Sequence, residues 1–188
     1  MASIPIVSDV AELLLSLPKA IKEIPKTQAK ARKEILKAVT DLSEAVSQAL
    51  NVVTVRCGQI ILSKDNLPEF RNQLVNSPMF LNDFRLAGVC ETLGNVRAEL
   101  RTILNDKTLA VRLFYRNRLQ NILEQIQNKE RDLEEDFDFF FRDLSRRGLT
   151  IEEKEIPEIV KYLKECQLSF EEDVRMIRSA MRKVENTL

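Results

Sequence analysis

Apolar positions recur along this chain at steps of three and four, which predicts long amphipathic helices and essentially no strand. The first run is Val7, Val10, Leu14, Leu17, Ile21 and Ile24, with Ser8 or Asp9 placed to cap a helix. Its phase survives Pro18, so one kinked helix is predicted, ended by Pro25. A second helix is predicted from 26 to 62, where Ile35, Val39, Leu42, Val46, Ala49, Val53, Cys57 and Ile60 keep near-heptad spacing. Such a helix is about 55 Å long. Ser63 to Asn66 forms the turn, and Pro68 suits the first position of a short helix ending near Asn76.

Ser77-Pro78 then predicts the start of a third long helix reaching Leu104, with Leu86, Val89, Leu93, Val96, Leu100 and Ile103 on one face. The longest predicted element runs from 107 to 147. Leu119, Leu123, Ile126, Leu133, Phe137, Phe140 and Leu144 mark its stripe, and Gly148 is expected as the closing C′ glycine. Two shorter helices are predicted in the tail from the capping boxes Thr150/Glu153 and Ser169/Glu172. Short turns between long helices make neighbours antiparallel. The expected fold is all-α: an elongated up-and-down antiparallel bundle with three long helices plus N- and C-terminal helices. We read it as one domain over 1–188, comprising an amphipathic helix over 1–25, a trunk over 26–148 and packed C-terminal helices over 149–188.

Composition supports helices and removes much chemistry. Four glycines and six prolines among 188 residues are too few for a turn-rich β protein. Lys plus Arg and Asp plus Glu each number 29, so the net charge is zero and nucleic acid is an unlikely partner. There is no histidine, which removes histidine-based triads and histidine metal sites. No Gly-rich phosphate loop is present. The three cysteines, Cys57, Cys90 and Cys166, form no CxxC pair and read as buried free thiols in a reducing compartment. The start does not read as a signal peptide, and no stretch approaches eighteen apolar residues. We therefore expect a cytoplasmic protein, or one held peripherally at a membrane, that is not an enzyme and takes no cofactor and no metal.

Charge patterning supplies the candidate sites. Lys19, Lys22, Lys26, Lys30, Lys33 and Lys37 recur at helical spacing and could meet an anionic membrane surface or an acidic partner; the plainer reading is a solvated helix face. Preceding them, the apolar face Val7, Val10, Leu14, Leu17 and Ile21 could insert at a membrane interface or pack on the trunk. Glu130, Glu134, Glu135 and Asp138 form a candidate acidic partner face, which could meet the lysine stripe within the chain or between copies. Phe139 points away from the stripe of Phe137 and Phe140 and is expected to be covered by the tail. Cys90, Gly94 and Ala98 are expected to permit close helix packing.

The general layout resembles two groups. One is the helical-bundle executioner domains of cell-death and immune proteins, in which an apolar N-terminal helix is released to attack membranes. The other is the long-helix modules that bend membranes as dimers. No site residue is carried over from either. The leading expectation is a non-enzymatic protein-protein interaction or self-assembly module. The alternative is a membrane-associating or membrane-permeabilising effector acting through its N-terminal helix. An enzyme with carboxylate or lysine chemistry ranks third.

Overall fold

The computed structural model describes residues 29–82, 88–105 and 113–185. The predicted N-terminal helix, with Val7, Val10, Leu14, Leu17 and Ile21, lies outside the described residues. The described helices are α1 (Ala29–Leu62), α2 (Leu67–Val75), α3 (Val89–Asn105), α4 (Leu113–Thr150) and α5 (Ile156–Glu185), with 3-10 turns at Ser77–Met79 and Glu153–Glu155. No described residue lies in a strand. The chain is all-α.

Helix α1 forms because its stripe has something to bury against. Val39, Leu42, Val46, Ala49, Val53, Cys57 and Ile60 are each at most 3% exposed. The run Val52 to Val55 is β-branched throughout and disfavours a helix locally. Burial overrides it, since each fully buried side chain of this size contributes about 1.5–3 kcal/mol. Helix α1 packs against α5 on one side and α3 on another. The start of α5, at Ile156 to Lys164, lies beside Lys64 to Leu67 at the end of α1. The end of α5, at Ile177 to Arg182, lies beside Thr40 to Asn51. The two helices are therefore antiparallel.

Helix α1 also revises one expectation from the sequence. The segment Arg32–Leu62 is long and apolar enough, by length and composition, to cross a membrane. Scattered polar residues hide this from a search for an unbroken apolar run. Its buried positions are those that face α3 and α5, as in the core helix of a bundle.

Helix α2 is a small clamp on α4. The Asn66 side chain accepts from the Glu69 N–H at 3.2 Å and caps it. Phe70 and Leu74 are fully buried. The Arg71 guanidinium donates to the Ile151 carbonyl, the Ser77 hydroxyl to the Phe141 carbonyl and the Ser145 hydroxyl to the Val75 carbonyl, each at 2.8 Å. Between α4 and α5 the backbones stand further apart than in the α1–α5 pair. Aromatic rings bridge that gap: Phe137 meets Phe170 at 6.3 Å and Phe140 meets Tyr162 at 6.1 Å between centroids. The buried side chains form one continuous cluster.

Several boundaries differ from the prediction. Two of the three expected trunk helices are long, namely α1 and α4. The third is described as Val89–Asn105, and Gly88, immediately before it, has φ +71°, a left-handed conformation outside a right-handed helix. Ser77-Pro78 opens a 3-10 turn, followed by helical residues 80–82. Gly148 does not end α4. It sits inside the helix, where an added Cβ would stand 2.7 Å from the Leu74 Cβ. Close approach of α2, not a left-handed cap, is what selects glycine there. Thr150 ends α4 instead of capping the next helix; the cap is formed two residues later, where Glu155 accepts from the Glu152 N–H at 2.8 Å. The tail is one helix of 30 residues that runs through Ser169, so the second predicted capping box is interior sequence.

Candidate functional site

The candidate residues are scattered. Lys19, Lys22 and Lys26 lie outside the described residues. Lys30 lies on α1, and Lys33 and Lys37 are exposed there. Glu130 and Glu134 lie on α4; Glu135 is exposed. Asp138 is not a free acid, because it accepts from the Arg142 Nε at 2.6 Å, and the pairing raises the Arg142 pKa above its ordinary value. Ala98 is exposed and Gly94 half-buried, so the expected close-packing line does not face the core along its length.

Phe139 carries the clearest surface signal. It is 67% exposed, although the tail was expected to cover it. Ile151 and Ile156 are buried instead, as part of the core cluster. A helix turns 100° per residue, so Phe139 faces away from Phe137, Phe140, Phe141 and Leu144, all of which are buried. It belongs to an outer stripe of Glu135, Phe139, Arg142, Arg146 and Leu149, every one exposed. The steps are four, three, four and three, the spacing of a helix–helix seam. Leu149 is 65% exposed. An exposed aromatic ringed by charged residues is the composition of an interface anchor.

Two clefts lie elsewhere, between α1 and α5. One of about 720 Å³ opens where the end of α1 meets the start of α5. Leu67, Ile156, Val160 and Leu168 form its apolar lining. Its lysines, Lys64, Lys161 and Lys164, are matched in number by Asp65, Glu153 and Glu165, so it selects neither sign of ligand. The other, about 350 Å³, lies between α1 and the end of α5. Two of its hydroxyls are already committed: Thr40 donates to the Leu36 carbonyl and Ser43 to the Val39 carbonyl.

Reactive groups are held in unreactive forms. Cys57 is buried, and burial together with the neighbouring Cys166 pushes its thiol up to about 12. Burial also raises Cys166, partly offset by a hydrogen bond with Tyr162. Both thiols are neutral at pH 7 and poor nucleophiles. No group of three or more acidic or thiol side chains is placed to hold a metal among the described residues.

The sequence reading missed Phe70, Leu74 and Phe170 as core anchors and Asp173 as a buried carboxylate. The α2 pair Phe70 and Leu74, four residues apart, carried the signal. Asp173 carried none, because its neighbours Glu171 and Glu172 made the stretch read as solvent face. Comparison of the chain with protein families, curated proteins and solved structures finds no match.

Proposed function

We propose that this protein is a non-enzymatic helical-bundle interaction module, an elongated up-and-down bundle that works by self-association or by binding a protein partner through its outer helix faces. The observation that carries this reading is Phe139, two-thirds exposed within a seam-spaced stripe, opposite the buried Phe137, Phe140, Phe141 and Leu144 of the same helix. The buried, neutral thiols support the same reading, since they leave the most nucleophilic side chains of the described core inert. A cytoplasmic location goes with free thiols. Sedimentation velocity of the full chain at two salt concentrations tests self-association. A concentration-dependent dimer or larger species that weakens with salt is expected; a monomer throughout overturns it.

One observation favours a second reading, a membrane-associating or membrane-permeabilising effector. Helix α1 has the length and composition to cross a bilayer, with 44% of its apolar window buried in the bundle. In this reading the N-terminal face and the lysine stripe bind an anionic surface and α1 follows. Co-sedimentation with anionic vesicles, comparing the full chain with one lacking residues 1–25, tests it. Failure of both to bind at low salt ends this reading.

A further inference from the structure

We propose that the outer face of α4 pairs with the same face of a second copy, antiparallel about a two-fold axis passing between residues 140 and 141. This rests on the self-association reading above and specifies its geometry. The argument is one of self-complementarity. In a two-fold contact the same patch meets itself, so each residue must suit the one at the mirrored position. Glu135 and Arg146 are equally far from the axis, as are Phe139 and Arg142. Pairing α4 with itself in this register therefore sets Glu135 against Arg146 of the second copy, twice per dimer. It also sets the Phe139 ring against Arg142 of the second copy, again twice.

Each pairing matches known chemistry. Opposite charges facing each other across a helix contact fix orientation and register. A guanidinium over an aromatic face is attractive, and the described residues already use that contact internally: Arg56 lies 5.0 Å from the Phe80 ring centroid and Arg147 lies 5.8 Å from that of Tyr162. Asp138 holds Arg142 by its Nε, which limits the freedom the guanidinium loses on pairing. A parallel pairing of the same stripes sets Glu135 against Glu135 and Arg146 against Arg146, and repulsion rejects it. Register slips of one turn move Phe139 off Arg142. The paired stretch from Glu135 to Arg146 is about 17 Å long. That length places the contact at the small end of specific interfaces, under roughly 1,200 Å², so the dimer is weak and reversible.

Charge reversal in the full chain tests this directly. Glu135→Arg and Arg146→Glu each replace two attractions by two repulsions, and each is expected to weaken dimerisation by about tenfold or more. The double variant E135R/R146E restores the pairing with its signs exchanged, and is expected to dimerise as the natural chain does. Phe139→Ala is expected to weaken the dimer while leaving the helical circular dichroism and the melting temperature unchanged. Sedimentation from about 5 to about 500 µM covers the range a weak contact requires. A dimer that the single reversals leave intact, or that the double reversal fails to restore, overturns this pairing while leaving self-association standing. A full chain that stays monomeric overturns both. A chain that dimerises only after residues 1–25 are removed places the chain's own N-terminal segment on this face and overturns the proposal.

Discussion

Gly148 shows how a single position can be read for the right residue and the wrong reason. A glycine after two arginines at the end of a helical stretch fits a left-handed cap, yet α4 continues past it to Thr150. Its role is to admit α2, since an added methyl would lie 2.7 Å from the Leu74 Cβ and 2.9 Å from the Val75 nitrogen. Alanine in a helix gains about 1 kcal/mol over glycine, and overpacking against a backbone costs about 1–3 kcal/mol. The clash includes backbone, so Gly148→Ala is expected to lose about 1–2 kcal/mol in chemical denaturation; a gain would show that the helices separate easily. Asp173 belongs to the same scale. Burial, with Glu172 beside it, raises its pKa above the ordinary carboxylate value. A raised acid is free of penalty below its unfolded pKa and costs stability as pH climbs through the folded one. Asp173→Asn should therefore be more stable than the natural chain at pH 7, the difference vanishing below about pH 4. Paired melts at the two pH values check this, and a difference that persists in acid would assign it to something other than ionisation.

At the scale of elements, the legible part was the stripe. Val39 to Ile60 on α1 and Phe137 to Leu144 on α4 were readable because core-facing positions repeat at the helical period and their burial depends on little else. Ends were less readable, because a capping pattern says only that a helix could begin there. Ser169 is the test case. Its spacing to Glu172 matches a capping box, but the stripe Leu163, Cys166, Phe170, Val174 and Ile177 runs through it and is buried along α1. Packing of a continuous stripe outweighs a cap of about 1 kcal/mol. The sign of Ser169→Ala distinguishes the cases: a lost cap costs about 1 kcal/mol, whereas an exposed interior site gains about 0.5 kcal/mol. A small gain in thermal stability is expected here. Gly88 was not legible as a break, because nothing local in the sequence announces a positive φ. With no atom within 4 Å of its added Cβ, Gly88→Ala should cost only the left-handed strain, about 1–2 kcal/mol. The outer stripe of α4 was half legible: Phe139 was seen to leave the core stripe, but whether the tail covered it depended on where α5 packs.

For the whole molecule, the arrangement of α5 matters most. It lies along α1 by direct helix packing and reaches α4 through rings. The sequence could not show this, since three neighbouring phenylalanines look alike until their partners are placed. Phe137 stacks on Phe141 at 6.4 Å and tilts against Phe170 at 6.3 Å, and all three are at most 2% exposed. The seam thus joins the α1–α5 pair to the α2–α4 unit, and the bundle should unfold as one body. Each of Phe137→Ala and Phe170→Ala should cost about 3–5 kcal/mol. If the two rings couple the halves, the double variant should cost less than the sum, by about 0.5–1.5 kcal/mol for the lost pair. Fluorescence of a dye placed on α4 and circular dichroism of the whole chain should report coincident urea transitions in the natural protein. They should separate in the double variant, because α4 then holds to the rest of the described core mainly through α2 and α3. Additive costs with transitions that stay coincident would show that α3, and not the aromatic seam, ties the bundle together.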